Sequence, residues 1–301
     1  MKASVIIPTF NGGKLLAECA HTLVRQEFKY KWEVIIIDSS STDDSIGNIT
    51  KIFSANKIPH QIISIPSEEF QHGASRNLAI SQAEGEIVCL LTQDAIPANS
   101  QWLNELTKSF FEDEKICGVF GRHIAHKGHP RLISRDLCKH FDYMNTQKVR
   151  FISNKETYEN NTTLRQFLHF FSNNNSALRK KTWKQLPLPE VNFGEDQTWA
   201  QNILEKGYSI AYENNAVVKH SHNYGLLEIY SRAKTESLYY KKYFGYNLSV
   251  PWFKVFNKIF HLFASDIKWL KKNKLLDFKE ILFSFVTHLG TQLARSHIKL
   301  R

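Results

Sequence analysis

The chain has 301 residues, and its apolar fraction of 42% and charged fraction of 23% exclude an intrinsically disordered protein. The net charge of +10 arises entirely in residues 231–301, which hold 14 Lys and Arg against 4 acidic residues, whereas residues 1–230 hold 25 of each. This asymmetry predicts a neutral body followed by a basic region that meets an anionic partner.

The cysteines and the lengths of the apolar runs indicate the cellular compartment of the protein. The four cysteines show no CxxC spacing, which argues against a zinc site or a disulfide framework and predicts buried free thiols. The apolar run in residues 1–8 is too short for a signal peptide, and no stretch approaches the roughly 18–20 apolar residues of a membrane span. We therefore expect a cytoplasmic protein that can lie against a membrane.

Short apolar runs alternate with helical patterns from the N-terminus. The predicted strands are 5–8, 34–38, 61–65 and 87–92, and the predicted helices between them are 13–27, 42–55 and 73–83. This order predicts an α/β fold with a mostly parallel sheet and helices on both faces. Ligands of such sheets bind beyond the carboxyl ends of the strands, where Thr9, Asp38, residues 66–72 and Asp94 fall.

The second part of the chain is mixed and then helical. Its predicted elements are a helix at 102–112, strands at 118–123, 168–171, 176–179, 209–212 and 216–219, and a helix at 196–206. The polar and aromatic segment at 124–166 is expected to form a helix or a loop over the acceptor side. Three helices follow at 226–244, 252–271 and 278–299. We therefore divide the chain into a domain at 1–224 and a basic helical region at 225–301.

Two aspartates end predicted strands. Asp38 can accept a hydrogen bond from a pyrimidine ring or a ribose hydroxyl, or it can cap the next helix, and both interpretations stay open. Asp94 can bind Mg²⁺ or Mn²⁺ that bridges a diphosphate. The alternative for Asp94 is a turn-forming residue before Pro97.

An acidic pair opens the predicted helix at 196–206. Asp196 can take a proton from an acceptor hydroxyl, with Glu195 orienting it, but both side chains can instead merely complement the helix dipole. Arg76 suits diphosphate or base recognition, or it is a surface arginine. His220 and His222 share one side of a strand, where they can touch metal or phosphate; the alternative is one buried and one solvated histidine.

Aromatic residues and lysines alternate in the C-terminal region. Residues 251–264 combine five aromatic side chains other than histidine with Lys254 and Lys258, and residues 269–274 continue the pattern. This composition suits the headgroup region of an anionic membrane. The alternative is packing on the rest of the chain or on a second subunit in a homodimer. No nucleic-acid motif is present, so nucleic acid is not expected as a partner.

Five ordered segments within residues 3–224 resemble the inverting family 2 glycosyltransferases of the GT-A fold, especially bacterial rhamnosyltransferases that build surface polysaccharides. The segments are 4–11, 34–44, 70–77 (F-x-H-G-x-x-R-N), 175–180 and 195–200. The resemblance implies a catalytic Asp196 with Glu195, and Trp199 on the acceptor side. It implies that the nucleotide sugar contacts Pro8, Thr9, Asn11, Asp38, His72, Arg76, Gln93 and Asp94.

One position departs from the family. Thr92 occupies the first acidic position of the Asp-x-Asp metal motif, so Asp94, with His222, would carry the divalent metal, and metal dependence can be relaxed. The Gln-x-x-Arg-Trp motif of processive synthases is absent from the sequence, which favours addition of one or a few sugars.

The resemblance implies direct displacement at the anomeric carbon of a nucleotide sugar, with dTDP-L-rhamnose as the expected donor. The expected acceptor is a cell-surface polysaccharide or lipid-linked oligosaccharide precursor, which would place the protein peripherally on the cytoplasmic face of the inner membrane. Two alternatives stay open: a transferase that uses a UDP-hexose or UDP-N-acetylhexosamine, and a catalytically degenerate scaffold in a polysaccharide assembly complex.

Overall fold

The computed structural model describes residues 2–298. Within them, residues up to 124 together with 140–220 form a first compact unit, and 125–139 together with the residues from 221 onward form a second. The segment 125–139 therefore belongs with the C-terminal helices, although it lies inside the predicted 1–224 domain.

The first unit begins with four parallel strands. They are β1 (Ala3–Thr9), β2 (Trp32–Asp38), β3 (His60–Ser64) and β4 (Ile87–Leu91), in the order β3-β2-β1-β4. The helices between them are α1 (Gly13–Leu23), α2 (Ser45–Ala55) and α3 (His72–Gln82). In the register of the sheet Thr9 lies opposite Asp38, so β1 and β2 end at the same level. The predicted α/β fold is confirmed, and the polar residues after these strands meet at one edge.

Beyond β4 the sheet is mixed rather than parallel. The remaining elements of the unit are β5 (Ile96–Pro97), α4 (Trp102–Thr107), α5 (Ser109–Glu112), β6 (Ile116–Ile124), α6 (Arg131–Met144), β7 (Val149–Arg150), α7 (Lys155–Asn160), α8 (Thr162–His169), β8 (Asn175–Arg179), α9 (Lys180–Gln185), α10 (Glu195–Glu205) and β9 (Ser209–Lys219). The order continues as β4-β8-β6-β9-β5, with β8 antiparallel to both β4 and β6. α6 begins in residues of the second unit and ends in residues of the first.

Two sequence predictions in this part are wrong. The strand predicted at 168–171 begins inside α8, whose first turn is capped by the Asn161 side chain accepting from the Leu164 N–H at 2.9 Å. Its apolar residues are buried as a helix end and the following loop, not as a paired strand. The two short strands predicted at 209–212 and 216–219 are one strand, β9, which is irregular opposite Gly121 and Arg122.

The core of the first unit lies between the sheet and its helices. β1 and β2 contribute Val5, Ile7, Val34 and Ile36, all fully buried. Each such side chain stabilises the fold by about 1.5–3 kcal/mol relative to an exposed position. Cys19, Cys89 and Cys117 are buried free thiols, as expected, but Cys138 on α6 is exposed. The prediction of four buried thiols is therefore wrong for that one residue.

The second unit contains α11 (Leu226–Phe244), α12 (Val255–Lys272) and α13 (Phe278–Ser296), with a 3-10 turn at Trp252–Lys254. The three predicted helices are present, and the end predicted for the last one, residue 299, lies outside the described residues. Glu280 of α13 accepts the N–H groups of Arg131 and Leu132 at the start of α6, which joins these helices. Among the residues that the structure describes, no helix is both long enough and apolar enough to cross a bilayer.

Candidate active site

A cavity of about 580 Å³ opens at the carboxyl ends of β1 and β4. Most of the residues that the sequence analysis assigned to the donor lie on its wall. They are Pro8, Thr9, Asn11, His72, Arg76, Gln93 and Asp94. The wall also includes residues that were not predicted to contact the donor, among them Phe10, Ser39, Phe70 and Thr92. The position of the cavity agrees with the rule that open α/β sheets bind ligands at this edge.

Gln93 and Asn11 hold the loops of the cavity in place. The Gln93 amide accepts from the Phe10 N–H at 3.0 Å and donates to the Phe10 carbonyl at 3.2 Å. The Asn11 side-chain oxygen accepts from the Thr42 N–H at 2.8 Å, and the Asn11 N–H donates to Ser41 Oγ at 2.8 Å. Both residues lie where the sequence analysis expected donor contacts, but these polar groups bind the protein's own backbone and side chains.

Asp38 does not line the cavity. Its buried carboxylate accepts from the Ser41 N–H at 3.2 Å and from the Ser41 hydroxyl at 2.6 Å, and the next residue, Ser39, is the one on the cavity wall. Asp38 therefore closes the turn at 38–41, and the helix-cap interpretation is wrong because α2 begins at Ser45, after Asp44. A direct contact of Asp38 with a nucleotide stays a prediction.

Three hydroxyl groups on the cavity wall are buried without a partner among the described residues. They belong to Thr9, Ser39 and Thr92. A buried hydroxyl that makes no hydrogen bond costs roughly 1–3 kcal/mol, so these groups favour a polar ligand in the cavity. The resemblance to family 2 glycosyltransferases predicts an acid at the position of Thr92, which instead adds a neutral donor and acceptor.

Arg76 connects the cavity to the acidic pair. It lies one turn after the start of α3, on the cavity wall, and is only 2% exposed. Its Nη1 donates to Glu195 Oε1 at 3.1 Å and to the His72 carbonyl at 3.1 Å. Asn173 Nδ2 donates to the same Glu195 oxygen at 3.1 Å. Residues 119 positions apart in the chain are thus joined by a buried ion pair, and the surface interpretation of Arg76 is wrong.

Asp196 follows Glu195 at the first turn of α10. Its carboxylate accepts the Gln197 N–H at 2.8 Å and the Asn173 N–H at 3.3 Å. Burial, and after it the charge of Glu195, raise the pKa of Asp196 well above the usual range of an aspartic acid, against the pull of those two N–H groups. A carboxylate tuned in this way can accept a proton near neutral pH.

A close backbone approach fixes α3 against the segment before α10. A Cβ atom on Gly73 would lie 2.1 Å from the Pro189 carbonyl oxygen, so only glycine fits there. Asn77 Nδ2 donates to the Leu188 carbonyl at 2.8 Å on the same side. The glycine and asparagine of the segment at 70–77 therefore set the distance between Arg76 and Glu195.

Asp94 lies close to His220, one of the two histidines predicted to touch metal or phosphate. His220 follows the end of β9, and its Nε2 lies 3.7 Å from Asp94 Oδ2. A carboxylate and an imidazole at this separation can share one divalent ion, so the donor set fits a metal. The predicted ligand His222 lies two residues further on, in the second unit, where its ring stacks on Tyr224 with 4.7 Å between ring centroids.

The assignment of Trp199 to the acceptor side does not fit the structure. Its side chain is fully buried, its Nε1 donates to the Leu186 carbonyl at 2.8 Å, and its ring lies 5.5 Å from that of Phe171. Because the ring is shielded from solvent and packs on Phe171, it is not available to an acceptor. Trp199 is a packing residue.

Comparison with known proteins identifies the family. A model of glycosyl transferase family 2 matches residues 4–186. The chain belongs to glycosyltransferase family 2. It is 29% identical to the O-antigen chain rhamnosyltransferase RfbN of Salmonella typhimurium over 98% of this chain and 90% of that protein. It is 32% identical to the O-antigen chain rhamnosyltransferase WbaN of Salmonella anatum over 97% of this chain and 89% of that protein.

Solved structures agree in fold. The mannosyltransferase PcManGT from Pyrobaculum calidifontis, in complex with GDP-Man and Mn²⁺, covers 98% of this glycosyltransferase with a TM-score of 0.65 and 16% identity, over 86% of its own chain. Residues 1–349 of S. aureus TarS cover 100% of it with a TM-score of 0.57 and 17% identity, over 93% of that chain. At these identities the likeness supports the predicted GT-A fold alone.

Proposed function

We propose that this glycosyltransferase moves L-rhamnose from dTDP-L-rhamnose, with inversion, onto a hydroxyl of a cell-surface polysaccharide precursor. The observation that carries the proposal is the buried contact of Arg76 with Glu195, because it joins a nucleotide-sized cavity to a carboxylate pair suited to proton transfer. The choice of rhamnose rests on the near full-length similarity to two proteins named as O-antigen chain rhamnosyltransferases.

Asp196 is the proposed base. Its raised pKa allows it to take the proton of the acceptor hydroxyl as that oxygen attacks the anomeric carbon. One base suffices for a single inverting displacement. Glu195 and Asn173 act as positioning residues, since the first holds Arg76 and the second donates its N–H to Asp196.

The donor is proposed to lie in the cavity at the strand ends. The unpaired hydroxyls of Thr9, Ser39 and Thr92 supply neutral hydrogen bonds to the nucleotide sugar. The exposed ring of Phe10 offers an aromatic surface on which the nucleobase can stack. Arg76 adds a fixed positive charge on the same wall, where charge develops on the departing diphosphate. The loops are already held by Gln93 and Asn11, so little ordering is required on binding.

A divalent ion is proposed to assist the diphosphate. Asp94 and His220, both in the first unit, could hold it, and a contribution of His222 stays a prediction. When bound, such an ion neutralises charge on the diphosphate oxygens. With only one carboxylate in this set, we expect weak binding, and therefore activity that is lost with a chelator and restored by millimolar Mn²⁺ or Mg²⁺. Activity that is unchanged after exhaustive chelation would refute the proposal that a divalent ion assists the reaction.

The acceptor is proposed to be a saccharide carried on a lipid at the cytoplasmic face of the inner membrane. The support is the similarity to the two O-antigen enzymes together with the basic C-terminal region. This placement predicts that transfer is faster to a lipid-linked saccharide than to the same saccharide released from its lipid.

A panel of nucleotide sugars tests the donor. The purified protein is incubated with dTDP-L-rhamnose, UDP-glucose, UDP-galactose and UDP-N-acetylglucosamine, and nucleotide release is followed with and without acceptor. We expect preference for dTDP-L-rhamnose. Preference for a UDP-sugar would replace the donor but keep the glycosyltransferase, and no turnover of any donor with any saccharide acceptor would favour the scaffold hypothesis.

A further inference from the structure

The second unit carries an apolar surface that its own packing leaves uncovered. α12 buries Val255 and Ile259 inside the unit, while the neighbouring stripe directs Phe256 and Phe260 outward, 75% and 66% exposed. At the start of this segment Trp252 is 78% exposed. Large aromatic side chains this close together on a surface are unusual in a soluble monomer and indicate an interaction site.

α13 extends the same surface. Phe278, Leu282 and Phe285 recur four and three residues apart, which places them on one stripe of the helix, and all three are exposed. The rings of Phe285 and Phe263 of α12 lie 6.1 Å apart, so the stripes of the two helices meet. We call this surface the aromatic face. It comprises Trp252, Phe253, Phe256, Phe260, Phe278, Leu282 and Phe285.

Exposed lysines accompany the aromatic face. Lys254 and Lys258 lie beside its α12 residues, and the Lys254 Nζ lies 5.8 Å from the centre of the Phe253 ring. Lys271 and Lys272 end α12, and Lys274 lies in the connection to α13. Among residues 231–301, the basic side chains outnumber the acidic ones by 14 to 4. The surface therefore combines apolar rings with positive charge.

We propose that the aromatic face binds an anionic lipid bilayer and lies in its headgroup region. Transfer of exposed tryptophan and phenylalanine rings from water to that depth lowers the free energy of the system. Lysines next to them can form ion pairs with lipid phosphates. A second copy of the chain would bring the same lysines into like-charge contact, which disfavours a symmetric dimer through this face. The inference rests on the proposed function in one respect: the bilayer is the surface on which a lipid-carried acceptor would be found.

Vesicle co-sedimentation of the full-length protein tests the inference. The probes are vesicles of phosphatidylcholine alone and of phosphatidylcholine mixed with phosphatidylglycerol. We expect binding to the mixed vesicles, weakened by high salt because the lysine contribution is screened. The double variant Phe256→Ser/Phe260→Ser should lower the partition coefficient by about tenfold or more, since it removes two exposed rings. Both positions are exposed, so the unit should still fold.

A matched control uses aromatic residues of the first unit. Phe111 and Phe151 are each about half exposed and lie outside the aromatic face. The variant Phe111→Ser/Phe151→Ser should bind the mixed vesicles as the unchanged protein does. Donor hydrolysis in solution should be the same for both double variants, so a failure of membrane binding can be told from a failure of the proposed function.

Point variants are preferable to removal of the C-terminal helices. Asp266 and Glu280 of those helices bind Arg135 and the start of α6, so truncation would leave α6 without its partners. The inference is overturned if the protein ignores vesicles that contain phosphatidylglycerol, or if the Phe256→Ser/Phe260→Ser variant binds them equally well. It is also overturned if light scattering shows a dimer that this variant dissociates while neither protein binds vesicles.

Discussion

Two aspartates, one in each unit, lie in contrasting surroundings. Asp196 is next to the negative charge of Glu195, and burial and that charge raise its pKa. Burial also acts on Asp266, but hydrogen bonds from His288 and Ser284 at 2.8 Å, and Arg135 at 2.8 Å, hold its pKa at about 2. The first carboxyl can exchange a proton near neutral pH, whereas the second is a permanently charged link between helices.

The largest expected effect separates the two carboxyls by activity. Asp196→Asn should lower kcat for sugar transfer by at least about 100-fold, because it removes the proposed base. Asp266→Asn should leave kcat for transfer to a soluble acceptor within about twofold, since no catalytic role is assigned to it. Initial rates at saturating donor measure both. Full activity of Asp196→Asn would remove the central residue of the proposal.

The free energy of unfolding should depend on Asp266 more than on Asp196, the reverse of the effect on kcat. Asp266→Asn should lower the free energy of unfolding by about 3 kcal/mol at neutral pH, because the Arg135 guanidinium loses one of its two carboxylate partners and keeps only the exposed Asp136. Since the folded pKa of Asp266 is lowered, its contribution is present above pH 4 and is lost as the pH falls toward about 2. Urea unfolding followed by tryptophan fluorescence measures the change. A loss that persists unchanged at pH 2 would contradict the ionic account.

Asp196→Asn should instead raise the free energy of unfolding at pH 8 by about 1 kcal/mol. A carboxyl whose folded pKa is raised costs stability once the pH exceeds its unfolded pKa, so the gain should vanish below about pH 4. The same unfolding experiment at the two pH values decides this. A destabilised Asp196→Asn protein at pH 8 would mean that the charge is better compensated than its surroundings indicate.

The pH dependence of turnover should follow Asp196. The acidic limb of kcat should lie well above pH 4, because the base works only when deprotonated. Glu195→Gln should move this limb to lower pH by about one unit, since it removes the neighbouring negative charge while Arg76 remains. The conservative control Glu195→Asp keeps the charge and should move it less. A limb that does not move would exclude coupling between the two carboxyls.

The smallest expected effect concerns donor binding. Thr92→Val should raise the KM for the donor by about fivefold with little change in kcat, because one neutral hydrogen bond is lost in both ground and transition states. Thr22→Val serves as the control, since its hydroxyl bonds the Cys19 carbonyl inside α1 and is not on the cavity wall. An unchanged KM for Thr92→Val would show that this hydroxyl does not contact the donor.

The first strands, their parallel arrangement and the location of the cavity could be predicted from the sequence, but their order in the sheet was not. Runs of Ile and Val without charge identify β1, β2 and β4, and parallel strands bring the residues after them to one edge. Hydrogen bonding within that edge could not be predicted. Gln93 and Asn11 have the same side-chain chemistry whether they bind a ligand or a backbone, and only the folded loops decide between these uses.

The sequence also could not predict which distant residues pair or whether a given side chain faces the core. The sequence around Arg76 does not indicate that its partner is Glu195, because their contact depends on how α3 packs against the segment that precedes α10. The prediction for Trp199 is wrong because the motif indicates the family but not the orientation of the side chain. That orientation depends on the contacts of the indole with Phe171 and with the Leu186 carbonyl. The local signal for His220 is its place directly after the end of β9, where parallel and antiparallel neighbours bring it near Asp94.

The close fit of Gly73 against Pro189 has a consequence for how the enzyme could be altered. Any side chain at position 73 would push α3 away and separate Arg76 from Glu195. Donor preference can therefore be redesigned most safely at the hydroxyl-bearing positions of the wall, such as Ser39 and Thr92, whose side-chain oxygens bond no other group among the described residues. Libraries that vary these two positions and keep Gly73 should yield folded enzymes with changed sugar-nucleotide selectivity.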